Sequence, residues 1–402
     1  MKIVSVFFLF FYFYDFTNLL TFSLEKFLLS CNSKDTIILK AQRNSYISKL
    51  QVMRDFTLCS VQKTKITSQK RGTIVSIFFP YNTVKGIFFT DSGKNITLRD
   101  SCVFIGKLGN FSHVLLNKFF NCGFGMWVHN SNYNFIKRNY FENISEKIMS
   151  VRGNAIQIFS NKGTFVFGNY IHYGRDGIYI TTSREVIIKK NILFNMRYGI
   201  HYMYSNACSL LENKSTNSSV GFAIMYSKFV DICRNYVMGN KEHGILLRDV
   251  YYSKIYLNKS FKNYEGIFFG SSYFNFLKNN YILRNFIAVK ISNGSMDNKI
   301  WKNNFIDNIL QIQLTDNRLL IWSNEKIGNY WSHYIGINRN SYFFIGKKFY
   351  ASLITDWLVT IYPSMKIIFK SPVMLLLQRI ENTFPSIRGS AVIDLFPLLF
   401  PW

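Results

Sequence analysis

Residues 177–227 read GIYITTSREVIIKKNILFNMRYGIHYMYSNACSLLENKSTNSSVGFAIMYS and contain one short pattern three times. Each copy opens with glycine and continues with alternating apolar residues. The copies found along the chain open at Gly177, Gly199, Gly221, Gly244, Gly266 and, with alanine in place of glycine, Ala288. The step between copies is 22 or 23 residues. A fixed period of this length is typical of a solenoid whose coils stack on one another.

A series of asparagines runs in phase with the glycines, and each of them opens another short apolar segment. These residues are Asn169, Asn191, Asn213, Asn235, Asn258, Asn280 and Asn304. A further series follows a few residues later, at Asn195, Asn217, Asn240, Asn263, Asn285 and Asn308. Glycine and asparagine tolerate the left-handed backbone of tight corners, and stacked amides hydrogen-bond along the stacking axis. We therefore predict that both asparagine series are structural and not catalytic.

The apolar positions of the repeat favour strands over helices, because Ile, Phe, Tyr and Val dominate them. A leucine-rich repeat would need leucine at fixed positions and a helical segment. Coils stacked about 4.8 Å apart let every strand pair with its neighbours and bury a shared inner face. The sequence predicts an all-β, right-handed parallel β-helix over residues 25–320, including an N-terminal cap. Residues 321–402 are expected to form a loop and helix region for capping or partner docking.

Alternation predicts which side chains face the core. Residues one and three after each glycine are apolar and are expected inside, so residues two and four after it should point outward. The first outward column is Tyr179, His201, Ala223, Leu246, Phe268 and Lys290. The second is Thr181, Met203, Met225, Arg248, Gly270 and Ser292.

The N-terminus indicates an exported protein, and the charge of the chain bears on its partners. Residues 1–24 are predicted to be a signal peptide, because Lys2 precedes an apolar run that is shorter than the ~20 residues of a membrane span. An uncleaved anchor and a lipid-modified Cys31 are alternatives. The formal net charge of +26 is spread along the chain without a nucleic-acid-binding motif. We therefore expect no nucleic acid as a partner, and an anionic lipid or an acidic protein instead.

Carbohydrate enzymes with this fold need acidic residues across a groove, and the outward columns contain none. Asp176, Asp249 and Glu265 are expected near corners without pairing at the coil spacing. We expect Asp176 to form a structural ion pair with Arg175. The sequence therefore predicts a protein that is not an enzyme, with a carbohydrate-binding or carbohydrate-processing β-helix as the alternative. Cys208 and Cys233 are 25 residues apart and are left open as a disulfide or as two buried thiols.

The outward columns do contain ligands that suit copper(I), namely thioether and imidazole. Met203 and Met225 occupy equivalent positions one repeat apart, and His201 lies two residues before Met203. These three residues are the candidate transient copper site. The competing interpretation is a surface that packs against a protein partner, and an incidental surface is the third. The candidate partner-surface residues are Tyr179, Tyr204, Tyr226, His243 and Phe268.

Several longer motifs resemble those of one family. They are Arg152-Gly153-Asn154, Tyr173-Gly174-Arg175-Asp176-Gly177-Ile178, His201-Tyr202-Met203-Tyr204-Ser205, Ala223-Ile224-Met225-Tyr226-Ser227, His243-Gly244-Ile245-Leu246-Leu247, Gly328-Asn329-Tyr330-Trp331-Ser332 and Val392-x-Asp394. Over residues 120–402 the chain is similar to the NosD family, the periplasmic accessory proteins of nitrous oxide reductase maturation.

This resemblance implies a periplasmic docking and handover scaffold at the outer face of the inner membrane. Its implied partners are an ABC-type ATPase and permease pair, nitrous oxide reductase and a copper chaperone. The implied role is assembly of the copper–sulfide centre of the reductase, with copper bound transiently. One departure concerns residues 333–346, where the family carries an Asp-rich loop of calcium-binding appearance. This segment contains no aspartate, so it lacks the carboxylate oxygens that a hard cation needs.

Overall fold

The computed structural model describes residues 3–5, 33–39, 46–47, 49–60, 64–143, 149, 152–292, 294–315, 320–334, 349–350, 358, 362, 364, 367–368, 371–383 and 392–402. These residues form two compact units, 1–215 and 216–402. Most of the predicted signal peptide and most of the 333–346 loop lie outside the described residues.

Each unit is a stack of parallel coils, and a regular coil contributes one strand to each of three sheets. Sheet I contains the strands that begin around the glycine series. Sheet II contains the next strands along the chain, and sheet III contains the strands that follow the asparagine series. The predicted right-handed parallel β-helix is confirmed.

The first unit contains most of the shorter strands. Its sheet I strands are Leu50–Val52, Val75–Ile77, Ser101–Ile105, Phe124–His129, Ile156–Phe159, Asp176–Thr181 and Tyr198–Met203. Its sheet II strands are Ile3–Ser5, Thr36–Leu39, Thr57–Ser60, Thr83–Lys85, His113–Leu115, Phe135–Lys137, Phe165–Phe167, Ile187–Lys189 and Ser209–Leu211. Its sheet III strands are Tyr46–Ile47, Lys65–Thr67, Phe88–Thr90, Lys118–Phe120, Tyr140–Glu142, Tyr170–His172 and Ile192–Phe194, and Lys214–Thr216 includes the boundary.

The second unit has the longest sheet I strands. These are Val220–Lys228, His243–Tyr251, Glu265–Gly270, Ile287–Ser292 and Leu310–Leu314. Its sheet II strands are Asp231–Cys233, Lys254–Tyr256, Phe276–Lys278 and Lys299–Trp301. Its sheet III strands are Tyr236–Met238, Lys259–Phe261, Tyr281–Leu283, Asn304–Ile306 and Tyr330–Trp331.

The C-terminal region adds a small sheet and a helix. The sheet strands are Leu320–Ile321, Phe349–Tyr350 and Val392–Asp394, and the helix, α1, is Pro372–Thr383. Met374 of α1 is buried against Ile287 and Leu310 of the solenoid. This contact anchors the predicted C-terminal helix to the coils of the second unit. No helix in the described part of the chain has the length and apolar character needed to cross a membrane.

The predicted inward columns are confirmed. Residues one after the glycine positions, such as Ile178 and Ile267, are fully buried, and so are residues three after them, such as Ile180 and Phe269. The glycines themselves serve a different purpose from the one predicted. Gly177 does not have a positive φ. A Cβ atom on Gly177 would lie 2.5 Å from the Gly199 carbonyl oxygen and 2.5 Å from Leu193 Cδ2, so only glycine fits.

The asparagine series is the polar spine of each unit. Asn191 Oδ1 accepts hydrogen bonds from the backbone N–H of Asn169 at 2.9 Å and from Asn169 Nδ2 at 2.9 Å. Asn191 Nδ2 donates to Asn213 Oδ1 at 3.0 Å and to the Val166 carbonyl at 3.1 Å. Each amide therefore satisfies buried backbone groups of its neighbouring coils, which an apolar side chain would leave unpaired.

One assignment within the first asparagine series is wrong, and two members of the second series lie at left-handed corners. Asn303, not Asn304, is the member of the spine, because its Oδ1 accepts from the backbone N–H of Asn280 at 3.0 Å. Asn195 and Asn217 have positive φ, and at each of these corners the buried residue is the next one along the chain. The left-handed corner residue is often a charged one, such as Lys190 at φ 56°. Spacing alone cannot separate two polar residues that are adjacent in sequence.

The last coil joins two of the family-like motifs. The spine ends at Asn329, and buried Asp394 accepts hydrogen bonds from the Asn329 backbone N–H at 2.6 Å and from Trp331 Nε1 at 2.9 Å. Burial raises the pKa of Asp394 despite these hydrogen bonds. Gly328 is required because any side chain there would overlap the Asp394 carboxyl group. Asp394 therefore caps the polar spine.

Replacing one amide of the spine should destabilise the first unit. Asn191→Ala leaves a backbone N–H and a carbonyl group of neighbouring coils buried without partners, at about 1–3 kcal/mol per group. We expect a loss of about 3 kcal/mol in the free energy of unfolding, measured by urea denaturation. Lys190→Ala is the matched control, because its exposed ion pair with Glu212 should contribute less than about 1 kcal/mol. Equal losses for the two variants would contradict a structural role of the spine.

Candidate functional site

The outer face of sheet I is far less exposed than the alternation predicted. His201, Ala223 and Leu246 of the first outward column are buried, and Met225 of the second is only 8% exposed. In the first unit, side chains of successive coils cover one another. The ring of Tyr179 stacks on that of His201 with 4.4 Å between centroids. The outward columns are therefore packed layers rather than free surfaces.

A shift in the alternation at each glycine brings acidic residues to this outer face. A Cβ on Gly177 would point at Leu193 in the core, so Gly177 and Ile178 both face inward. The residue before the glycine, Asp176, consequently lies on the same side as Tyr179. The period-two interpretation missed Asp176 for this reason. An acidic residue directly before a glycine of the series is the signal that would have found it.

Asp176 is the centre of an ion-pair cluster in the first unit. Its Oδ1 accepts from Arg197 Nε at 2.8 Å, and its Oδ2 accepts from Arg197 Nη2 at 2.7 Å. His201 Nδ1 lies 3.1 Å from the same Oδ2. Asp176 pairs with these two residues of the next coil, not with Arg175 as the sequence predicted. Burial alone would raise the pKa of Asp176, but hydrogen bonds from His201 and Arg197 outweigh it and hold the pKa below its usual value.

The cluster orients the imidazole of His201. Because a carboxylate only accepts hydrogen bonds, Nδ1 of His201 carries the proton and a neutral ring keeps its lone pair on Nε2. Nε2 is buried and has no hydrogen-bond partner. A carboxylate that holds one imidazole nitrogen is the usual support of a metal-binding histidine.

Tyr179 contacts both this histidine and Met203. The Tyr179 hydroxyl donates to Met203 Sδ at 3.4 Å while its ring stacks on His201. The first unit therefore brings together an imidazole nitrogen without a partner, a thioether and a tyrosine. Met225 belongs to the second unit, and its predicted proximity to Met203 stays a prediction. Within the described ranges, no group of three or more His, Cys, Asp or Glu side chains could hold a metal ion.

The second unit contains a similar cluster built on Glu265, the residue before Gly266. Glu265 Oε2 lies 2.7 Å from His243 Nδ1, and Glu265 Oε1 accepts from Lys290 Nζ at 2.9 Å. Burial alone would raise the pKa of Glu265. The hydrogen bonds and charges of His243 and Lys290 outweigh this effect and hold the pKa below its usual value. The ring of Phe268 lies 5.0 Å from that of His243. Two of the predicted partner-surface residues thus adjoin a buried carboxylate.

The remaining partner-surface residues differ in exposure. Tyr204 and Tyr226 are 53% and 42% exposed, whereas Tyr179 is half-buried. Both exposed tyrosines have positive φ and lie directly after a residue of the second outward column. They are the members of the set that a partner could reach without any rearrangement.

The cysteines give one result that the sequence did not predict. Cys102 and Cys122 form a disulfide. Cys208 and Cys233 are buried free thiols, which decides the question that their spacing left open. Burial raises the pKa of the Cys208 thiol to about 12, so this sulfur stays protonated and unreactive at neutral pH.

The buried cluster should give the protein an acid-sensitive component of stability. The pKa of Asp176 is lower in the folded than in the unfolded chain, so its contribution is full above about pH 4. It is lost as the pH falls through the lower folded value. Asp176→Asn should cost about 3 kcal/mol at pH 7 and flatten this acid dependence, measured by urea denaturation across pH.

Asp307→Asn is the matched control for that experiment. Asp307 Oδ2 lies 3.8 Å from Arg284 Nε, and both side chains are more than half exposed. An exposed pair of this kind contributes less than about 1 kcal/mol. Similar losses for Asp176→Asn and Asp307→Asn would show that the buried cluster has no special stabilising role.

Comparison with known proteins identifies relatives and fold neighbours. Residues 143–336 match the model of a family described as periplasmic copper-binding protein (NosD). A probable ABC transporter binding protein NosD from Stutzerimonas stutzeri is 30% identical over 349 residues, covering 83% of this chain and 80% of the relative. The protein of the same name from Pseudomonas aeruginosa is 28% identical over 342 residues, with 82% and 80% covered.

Solved structures show the same architecture at much lower identity. The A-module of the Azotobacter vinelandii mannuronan C-5 epimerase AlgE6 superposes with a TM-score of 0.60 at 9% identity, covering 79% of this chain and 94% of the module. This likeness shows the fold alone. The family model covers the motif around His201, the 30% identical relative extends over most of the chain, and the chain belongs to the NosD family.

Proposed function

We propose that this protein is a periplasmic accessory component of an ABC-type transporter complex. It assists assembly of the copper–sulfide centre of nitrous oxide reductase as a docking and handover scaffold at the outer face of the inner membrane. Its partners are the ATPase and permease pair, the reductase and a copper chaperone. Membership of the NosD family supports a periplasmic protein that works with an ABC transporter. The observation that carries a direct role in copper handling is the buried, unpartnered Nε2 of His201 beside Met203.

The residues of the cluster fit copper(I) as cargo. An imidazole nitrogen and a thioether sulfur are ligands that this soft ion accepts, and Asp176 presents the required tautomer of His201. The set provides few strong ligands, which suits an ion that must be released to a partner. Met225 is proposed as a second thioether on the evidence of the repeat alone. The cluster binds and orients the ion and requires no catalysis by this chain.

The partner surface is proposed around the two exposed tyrosines, Tyr204 and Tyr226, with Tyr179, His243 and Phe268 as its less exposed members. Helix α1 is proposed as the permease contact. Its Met374 is anchored in the solenoid, whereas four other apolar residues of the helix are exposed to solvent. The exposed ones are Val373, Leu376, Leu377 and Ile380. An exposed apolar helix face of this kind favours docking to another protein.

A carbohydrate-processing role is the competing proposal, and the electrostatics disfavour it. Hydrolysis requires a carboxylic acid that keeps its proton near neutral pH. The pKa values of Asp176 and Glu265 are instead lowered by their basic partners. Binding of the purified protein to a glycan array would support the carbohydrate alternative.

Removing the two methionines should disable copper handover. The Met203→Ala/Met225→Ala variant should fold normally and fail to yield nitrous oxide reductase with its full copper centre. The readouts are circular dichroism of the variant and the copper content of the purified reductase. Met296→Ala is the control, because Met296 is an exposed methionine outside both columns. Normal metallation in the double variant would reject a role for these methionines.

Charges on the exposed face of α1 should prevent capture of the transporter. Val373→Glu/Leu376→Glu is expected to reduce recovery of the ATPase and permease from solubilised membranes about tenfold, because the contact would bury both glutamates. Leu98→Glu/Leu108→Glu introduces the same charges at exposed leucines of the first unit and should leave recovery unchanged. Equal recovery with all three proteins would reject α1 as the contact.

A further inference from the structure

A cleft of about 350 Å³ lies on the outer face of sheet I in the first unit. Three arginines, Arg99, Arg152 and Arg175, contribute to its lining together with aromatic side chains. Among the described residues that line it, none is acidic. Clustered like charges raise the local potential and attract an anion. The cleft is therefore a candidate binding site whose arginines the copper proposal does not use.

Three N–H groups at the cleft have no acceptor. Trp127 Nε1 and Arg175 Nε are buried and unpaired. His129 Nε2 lies 3.3 Å from Arg99 Nη1, which can only donate, so Nε2 accepts and the proton resides on Nδ1. Burial and the nearby Arg99 lower the pKa of His129, which keeps the ring neutral. Nδ1 of His129 is also buried without a partner.

Buried donors without acceptors are rare, because each one loses its hydrogen bond to water without a replacement. Three of them at one cleft indicate that the missing acceptor comes from a ligand. Arginine and other N–H donors together match the oxygens of a carboxylate, and such charge-assisted hydrogen bonds are the strong ones. The chemistry of the cleft thus favours a carboxylate group.

Several aromatic side chains of the cleft stack with rings of neighbouring coils. The ring of His129 stacks on that of Phe159 at 5.0 Å, and the ring of Tyr179 stacks on that of His201 at 4.4 Å. Rings that stack along the solenoid axis turn their edges outward, and ring edges carry partial positive charge. This arrangement favours anions. It disfavours a sugar ring, which typically packs on an open aromatic face.

We propose that this cleft binds the carboxylate side chains of an acidic peptide segment from a partner protein. Side chains of aspartate or glutamate bring acceptor oxygens to the arginines and to the three N–H groups without needing a free ring face. The formal net charge of +26 adds long-range attraction for an acidic segment. The site adjoins the copper cluster, because Tyr179 lines the cleft and its ring stacks on that of His201.

A fluorescein-labelled polyglutamate peptide tests the proposal by fluorescence anisotropy with the purified full chain. The peptide should bind more tightly than a labelled polyglutamine peptide of the same length. The Arg99→Gln/Arg175→Gln variant should weaken polyglutamate binding about tenfold or more through loss of charge-assisted hydrogen bonds.

Arg234→Gln/Arg248→Gln is the matched control, because it removes the same charge from two exposed arginines of the second unit. It should change the affinity less than about twofold, since exposed distant charges are screened by salt. Equal weakening by both double variants would show non-specific attraction and overturn the proposal. Displacement of the peptide by an equal concentration of inorganic phosphate or of oligogalacturonate would also overturn it, and the latter would identify a uronate site.

Trp127→Phe keeps an aromatic ring at this position but removes the Nε1 donor together with the five-membered ring of the indole. We expect it to weaken polyglutamate binding severalfold while leaving the thermal unfolding midpoint unchanged or higher, because a buried unpaired donor is lost. Unchanged affinity in this variant would contradict the use of that donor. Circular dichroism of each variant separates loss of the site from loss of the fold.

Discussion

The hydrogen-bonded register between successive coils is the constraint on which the rest of the structure depends. Each spine asparagine binds the amide and the backbone of its neighbour, so a coil cannot slip by one residue without leaving buried polar groups unpaired. The glycine positions enforce the same register sterically, because the next coil's carbonyl lies where a side chain would be. Residues about 22 positions apart in sequence consequently become neighbours.

This register explains how a basic chain with few acids builds buried ion pairs. Asp176 precedes a glycine at which the alternation shifts, so its carboxylate meets Arg197 and His201 of the following coil. Glu265 occupies the equivalent position in the second unit and meets His243. Both carboxylates are paired and ionised, which suits them to orient imidazoles rather than to transfer protons.

Periodicity predicted the fold class, the inner columns and the identity of most spine residues, because these features depend only on which residues recur at the coil spacing. It failed where the backbone departs from strict alternation. Asp176 faces outward because Gly177 and Ile178 both face the core, and no rule of period two reveals that shift. The outward columns were expected to be open, but Tyr179 covers His201.

Other features depend on contacts that do not follow the repeat. The disulfide between Cys102 and Cys122 and the cap of Asn329 by Asp394 join residues outside the regular repeat. The arginine-lined cleft depends on Arg99 and Arg175 lining one cavity from different coils. The spacing of residues in the sequence carries no information about such contacts. The family resemblance did mark Gly328–Trp331 and Asp394, and the structure gives the reason these motifs occur together.

The central claim is that coil register holds Asp176, His201 and Met203 so that one imidazole nitrogen and one thioether are available to copper(I). X-ray absorption spectroscopy of the purified protein loaded with copper(I) tests it directly. We expect both nitrogen and sulfur scatterers in the first coordination shell, with the imidazole signal absent in the His201→Phe variant. A spectrum that is the same for the natural protein and for His201→Phe would contradict the claim.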